Sequence, residues 1–60
     1  MTITAIHDCR IDNLPFVMGC EYKVEQFLDP GRRYIYYIVY NVWGYTMLSL
    51  EEVRKHFIGI

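Results

Sequence analysis

Two cysteines and two histidines carry the side chains of this chain that are best suited to chemistry: His7, Cys9, Cys20 and His56. Thiolate and imidazole groups are the usual ligands of zinc, and Cys9 with His56 could also act as a nucleophile and its base. The spacing of the four residues matches no zinc knuckle, and Cys20 stands in an alternating segment where a core residue is expected. The sequence therefore predicts no metal site and no other cofactor.

Paired carboxylates are the second candidate for chemistry. Glu51 and Glu52 are adjacent, so on a helix their side chains diverge instead of converging on one substrate atom. Their place in the first turn of a helix is explained by the positive end of the helix dipole. A domain of 60 residues also has little room for a pocket that excludes water from a reaction. We therefore expect a protein that is not an enzyme.

The aromatic residues are concentrated in one segment, which holds five of the six tyrosines and the single tryptophan, YIYYIVYNVWGY. Successive side chains of a strand point to opposite faces. One face would then carry Tyr34, Tyr36, Ile38 and Tyr40. The other would carry Ile35, Tyr37 and Val39. Both faces are apolar or aromatic, and a chain this small rarely covers both.

An interface is the favoured interpretation of this segment, because tyrosine and tryptophan dominate binding hot spots. The alternative is that Ile35, Tyr37 and Val39 fill the core, while the tyrosine face is covered by the N-terminal segment or the helix. Val42 and Trp43 favour the interface, since an apolar hairpin tip has little to pack on within its own domain. Two arginines would lie at the rim of the contact. The predicted partner-binding residues are Arg32, Arg33, Tyr34, Tyr36, Ile38, Tyr40, Val42, Trp43 and Tyr45.

Local patterns predict a mainly β chain of one domain, residues 1–60. A first strand is expected over 2–6, then a loop over 10–19 with buried Leu14, Phe16 and Met18. Residues 20–25 alternate cleanly, which is typical of a strand with one wet face. Cys20, Tyr22 and Val24 would face inward.

Two turns then place the tyrosine strand in the middle of a meander. Asp29-Pro30-Gly31 has the composition of a β-turn, and Asn41 to Gly44 that of a hairpin turn. A third strand follows over 45–48, and Ser49 with Glu52 forms a capping box that predicts a short helix over 50–57. A last short strand is expected over 58–60.

Composition limits the classes of partner and the compartment. The formal net charge is -1, whereas nucleic-acid binders usually carry a basic surplus. The segment 34–43 is too short to span a bilayer, and the first residues lack the pattern of a signal peptide. Two cysteines are too few for a disulfide framework. We expect a cytoplasmic protein with free thiols and no membrane partner.

The order of these signals resembles that of small SH3-like β-barrel proteins of bacteria and their phages, mostly of unassigned function. The resemblance covers about residues 5–57. The segments that carry it are Ile11 to Pro15, Gly19 to Val24, Tyr37 to Val39, Asn41 to Gly44, Tyr45 to Leu48, and Phe57. It implies a five-stranded, partly open barrel with a helical turn before the last strand. The expected relatives often carry acids at the second turn, where this chain has Val42 and Trp43.

The same resemblance suggests what such a barrel does. It implies a binding module without catalytic residues that inhibits or adapts a bacterial host protein complex. A defence system such as a CRISPR nuclease is one concrete version. Three alternatives stay open: a barrel that stacks single-stranded bases on its aromatic side chains, a groove for proline-rich segments, and a homo-oligomer whose tyrosine face is a self-interface.

Overall fold

The computed structural model describes residues 1–31 and 33–60, and these form seven strands and one helix. The elements in chain order are β1 (Thr2–Ala5), β2 (Cys9–Ile11), β3 (Leu14–Phe16), β4 (Glu21–Asp29), β5 (Tyr34–Asn41), β6 (Gly44–Leu48), α1 (Leu50–His56) and β7 (Phe57–Ile58). The prediction of a mainly β chain with one short helix near the C-terminus is confirmed.

Five of the strands form one sheet in the order β6-β5-β4-β1-β7, and β2 pairs with β3 in a separate hairpin. The predicted meander is present, because the tyrosine strand β5 lies between β4 and β6. All pairings are antiparallel. In the described part of the chain, the edge strands β6 and β7 do not pair with each other. The five-stranded sheet is therefore open.

The core lies between one face of this sheet and a cover made of the β2–β3 hairpin and α1. Val24 and Val39 are paired across β4 and β5 and are both buried. The ring of Phe16, from the cover, meets the ring of Phe57, from β7, edge to face with centres 5.3 Å apart, a favoured geometry for aromatic pairs. Helix α1 and strand β3 both contact β5. One face of the tyrosine strand β5 therefore packs in the core.

Helix α1 begins where the sequence predicts. Ser49 Oγ accepts a hydrogen bond from the backbone NH of Glu52 at 3.2 Å, and Glu52 Oε1 accepts one from the Ser49 backbone NH at 3.3 Å. This is the predicted capping box, which satisfies two NH groups that have no partner within the helix. The helix ends at His56, one residue earlier than predicted, because Phe57 already has extended backbone angles and starts β7.

The segment 10–19, predicted to be a loop, instead contains most of the β2–β3 hairpin. Asp12 and Asn13 both have positive φ angles, of 50° and 65°, and Ile11 pairs with Leu14 on either side of them. Two residues of positive φ form the turn that best matches the twist of a hairpin. Pro15 is compatible with β3, because proline is tolerated in edge strands.

Two predicted core residues of this region are exposed. Leu14 and Phe16 are buried as expected, whereas Met18 is 63% exposed. Cys20 is also exposed, because β4 begins only at Glu21 and Cys20 lies in the turn before it. Of the residues predicted to face inward, Val24 is buried and Tyr22 is half-buried.

The β4–β5 hairpin projects beyond the core as a two-stranded ribbon. Strand β1 pairs with β4 only as far as Lys23, and β6 pairs with β5 only from Tyr37 onward. The far part, about residues 25–36, therefore has two unpaired edges among the described residues. Its turn is closed by the Asp29 side chain, whose Oδ1 accepts from the Gly31 backbone NH at 3.0 Å.

Candidate functional site

The outer face of the sheet is the face turned away from the core, and it carries a continuous set of aromatic and apolar side chains. Residues directly opposite each other in an antiparallel pair project from the same face. The register pairs Ile38 with Met47 and Tyr40 with Tyr45. In the same way Phe27 lies opposite Tyr36. We call Phe27, Tyr36, Ile38, Tyr40, Tyr45 and Met47 the aromatic face.

Nothing in the described residues covers the aromatic face. Helix α1 and strand β3 contact β5 and β6 from the core side, where Val39 and Leu48 are buried. The residues of β5 that alternate with Val39 are half-buried by their neighbours within the sheet. Tyr45 on β6 is 63% exposed. The sequence-based alternative, in which the N-terminal segment or the helix covers this face, does not fit this packing.

The partner-binding residues predicted from sequence lie along the whole of β5 and in the turn between β5 and β6. Val42 and Trp43 are the most exposed, at 90% and 74%. Tyr34 is exposed near the tip of the ribbon, next to the exposed Arg33. A strand advances about 3.3 Å per residue, so Arg33 and Trp43 lie roughly 30 Å apart along the strand direction. The prediction for Arg32 lies outside the described residues.

The predicted patch therefore consists of two regions that one small contact does not span. The ribbon region contains Phe27, Tyr34 and Tyr36, and the rings of the two tyrosines lie 6.3 Å apart. The turn region contains Tyr40, Val42, Trp43 and Tyr45, with the Tyr40 and Tyr45 rings also 6.3 Å apart. Of the two inward residues predicted for the ribbon half of β5, Tyr37 is buried, whereas Ile35 is 45% exposed.

Phe27 and Met47 belong to the face but were not predicted from the sequence. Strand alternation alone could have placed both outward. Phe27 lies two residues after Glu25 and alternates with the buried Val24 in β4. Met47 lies two residues after Tyr45 in β6 and therefore projects from the same face.

Beside the turn region lies an open groove of about 510 Å³. Its aromatic and apolar walls are Pro15, Val17, Tyr22, Tyr40, Val42 and Trp43. Two hydrogen bonds hold the walls in place. The Tyr22 hydroxyl accepts from the Val17 backbone NH at 2.8 Å, and Asn41 Nδ2 donates to the Pro15 carbonyl. Asn41 Oδ1 also accepts from the Trp43 backbone NH at 3.1 Å, which fixes the hairpin tip.

Charge in this groove is small and internally balanced. The charged residues among the described residues that line it are Glu21 and Lys23, and Lys23 Nζ also lies 3.7 Å from Glu25 Oε1. The same ammonium lies 5.9 Å from the centre of the Tyr40 ring. Partial desolvation, followed by the charge of Glu25 and a hydrogen bond with the Glu25 side chain, raises the pKa of Tyr40.

A second group of functional side chains lies where β1, β2 and α1 meet. His7 Nε2 and His56 Nδ1 are 2.8 Å apart, and the two rings are stacked with centres 5.0 Å apart. One ligand atom from each of His7, Cys9 and His56 lies within 4.8 Å of the others. Cys20, grouped with these residues from sequence, is not part of this cluster of described residues.

The ionisation of this cluster argues against the nucleophile–base interpretation. Burial, with a smaller effect of Asp8, raises the pKa of the Cys9 thiol, whereas reactive cysteines need a lowered pKa. Burial, followed by His7 and Lys55, lowers the pKa of His56, against a smaller opposing effect of Glu52. His56 is therefore neutral near pH 7.

Comparison of the chain with protein-family models, with curated proteins and with solved structures found no match. The described part of the chain contains no helix that is long and apolar enough to cross a membrane.

Proposed function

We propose that this protein is a non-catalytic binding module whose partner is another protein. The observation that supports this most directly is the uncovered turn region, where four large side chains adjoin the groove: Tyr40, Val42, Trp43 and Tyr45. Contiguous apolar surface of this kind marks interaction sites on soluble proteins. Tyrosine and tryptophan are also the residue types most enriched in binding hot spots.

The charge of the groove and of the whole chain favours a protein partner over single-stranded nucleic acid. Base stacking on aromatic side chains is accompanied by a basic groove that follows the phosphates. Here Lys23 is paired with Glu25, and the chain as a whole has a formal charge of -1. Oligonucleotide binding is therefore the less favoured function. A gel shift with single-stranded oligonucleotides that disappears as salt is raised would favour it instead.

The groove favours one particular form of protein partner, an extended segment. Proline-rich segments dock between aromatic side chains on SH3-like surfaces, and this groove offers Tyr22, Tyr40 and Trp43 beside Pro15. The Tyr22 hydroxyl and the Trp43 indole NH can donate to the carbonyls of such a segment, which are not used in a polyproline helix. We propose this as the second candidate for the mode of binding.

The resemblance to small barrels of bacteria and phages extends the proposal to a biological setting. We propose an SH3-like module that acts in the bacterial cytoplasm and inhibits or adapts a host protein complex, of which a defence nuclease is one version. A homo-oligomer joined through the aromatic face is the competing proposal, because small domains often gain buried surface by self-association.

The experiment that tests the proposal is capture of bacterial lysate proteins on the immobilised chain. Three forms are compared: the wild type, Trp43→Ala, and Met18→Ala as a matched control. Met18 is about as exposed as Tyr45 but lies outside the aromatic face and the groove. The proposal expects one stoichiometric partner that is retained by Met18→Ala and lost by Trp43→Ala. Absence of any stoichiometric partner, or equal retention by all three forms, would count against it.

A further inference from the structure

The cluster of His7, Cys9 and His56 combines the ligand types of a transition-metal site in one place. Imidazole nitrogen and thiolate sulfur are both zinc ligands, and zinc sites with an open position use three protein ligands. His7 lies in the connection between β1 and β2, Cys9 is the first residue of β2, and His56 is the last residue of α1. This placement is independent of the aromatic face and of the function proposed for it.

The backbone holds the three residues together. Strands β1 and β7 pair Ala5 with Phe57, and the Ile6 backbone NH donates to the His56 carbonyl at 3.0 Å. These two contacts bring positions 7 and 56 side by side. Cys9 pairs with Phe16 in the β2–β3 hairpin. Because Phe16 packs against Phe57, the hairpin is tied to the same corner of the fold.

The distances are close to those that a zinc ion requires. Ideal tetrahedral zinc, with bonds of about 2.0–2.1 Å to nitrogen and 2.3 Å to sulfur, places two nitrogens about 3.3 Å apart and a nitrogen and a sulfur about 3.6 Å apart. The His7 and His56 nitrogens are 2.8 Å apart, and all three ligand atoms lie within 4.8 Å of one another. Binding thus needs the imidazoles to separate by about 0.5 Å and the thiol to approach by about 1.2 Å at most.

Side chains can make these movements without disturbing the core. His7 is exposed, and Cys9 and His56 are half-buried. Rotation of an exposed imidazole about its side-chain bonds moves its ring nitrogens by more than the required distance. The exposure of His7 also leaves one side of the cluster open to solvent, where water can supply the fourth ligand that three-residue zinc sites use.

From this geometry we infer that the chain binds one Zn²⁺ ion through His7, Cys9 and His56, with the fourth position open to solvent. On binding, the Cys9 thiol loses its proton to solvent and coordinates as a thiolate, and each imidazole coordinates through an unprotonated nitrogen. No oxidation or reduction takes place. Because the ligands join β1, β2 and α1, the ion links the N-terminal and C-terminal parts of the fold.

The test is a calorimetric titration of the full chain with zinc chloride after the protein has been freed of metal by a chelator. The expected stoichiometry is one ion per chain. Substitution with Co²⁺ provides a second readout, because a cobalt–thiolate bond gives a charge-transfer absorption band that imidazole ligands alone do not give. Thermal unfolding should shift to higher temperature as zinc is added, because the ion binds only the folded cluster.

Two variants test His7 and Cys9 as ligands, and a third variant is the control. His7→Ala and Cys9→Ser should each weaken zinc binding by at least about tenfold, since even a residue in contact with a ligand changes affinity by 10–100-fold. Cys20→Ser is the matched control, because it removes the other thiol, which lies outside the cluster, and should bind as the wild type does. Since His7 is exposed, His7→Ala keeps the core intact, and circular dichroism verifies this.

Several outcomes would overturn the inference: no binding by the wild type, unchanged affinity in His7→Ala and Cys9→Ser, or an equal loss in Cys20→Ser. One ion shared between two chains would equally exclude a site formed within one chain. Loss of the cobalt band in Cys9→Ser, together with its persistence in Cys20→Ser, would establish Cys9 as the thiolate ligand.

Discussion

Replacing Trp43 by alanine should weaken binding to a partner while lowering the stability of the fold only slightly. Trp43 is 74% exposed, so only about a quarter of its surface is removed from water by the fold. A tryptophan buries at most about 250 Å², which leaves roughly 65 Å² buried here. At about 25 cal/mol per Å² the loss of unfolding free energy is at most about 1.5 kcal/mol. The hydrogen bond from the Trp43 backbone NH to Asn41 does not depend on the side chain.

The expected loss of binding is larger. If a partner covers the exposed part of Trp43, truncation should cost a hot-spot amount of about 2 kcal/mol, or roughly thirtyfold in the dissociation constant. The assay has two parts, applied to the wild type and to Trp43→Ala. Urea unfolding measures the free energy of folding. Light scattering behind size-exclusion chromatography, over a hundredfold range of protein concentration, measures self-association.

Each result has a distinct meaning. A monomer in both proteins leaves the aromatic face available to a foreign partner. A wild-type oligomer that dissociates in Trp43→Ala identifies the turn region as a self-interface, and the proposal of a foreign partner at this region is then wrong. If Trp43→Ala lowers the unfolding free energy by 3 kcal/mol or more, the exposed placement of this side chain is refuted, because such a loss is typical of a buried aromatic residue.

Three further substitutions test the packing that positions the face. Phe57→Ala, at a side chain only 2% exposed, should lower the unfolding free energy measured in urea by about 3–5 kcal/mol, a large part of the roughly 3–9 kcal/mol that a chain of this size has in total. Thr46→Val removes the hydrogen bond from the buried Thr46 hydroxyl to the Asp12 carboxylate. It should cost about 1 kcal/mol in urea unfolding, because the exposed carboxylate can bind water instead. Ser49→Ala should cost about 1 kcal/mol through loss of the cap, and Ser49→Thr should recover most of it.

Much of the meander could be predicted because its signals are local. The alternation of β4, the turn at Asp29-Pro30-Gly31 and the cap at Ser49 each depend on neighbours within a few residues. The two faces of β5 followed from strand periodicity alone, and Tyr37 and Val39 are buried as predicted. Ile35 departs from the pattern because the ribbon extends beyond the cover that the core provides.

The remaining features depend on contacts between distant segments. The β2–β3 hairpin was missed because Pro15 disfavours a central strand, whereas an edge strand tolerates it. The cluster of His7 and His56 joins residues 49 positions apart through the pairing of β1 with β7. No local pattern predicts that pairing, because β7 is a strand of only two residues. The same limit applies to Cys9, whose nearness to the histidines requires the hairpin to be folded against the core.

The composition of the outer face is not required by the fold. A sheet with one solvated face is normally polar on that face, and threonine would suit the outward positions of β5 and β6 as well as tyrosine does in strand propensity. This chain instead exposes Tyr45 and Met47 and half-buries Tyr40, which increases its tendency to associate. Tyrosine limits this tendency to associate, because its hydroxyl is hydrated when the face is free. Its ring supplies apolar area when the face is covered. Tyrosine at these outward positions is therefore what the proposed interface predicts, whereas the stability of the sheet does not require it.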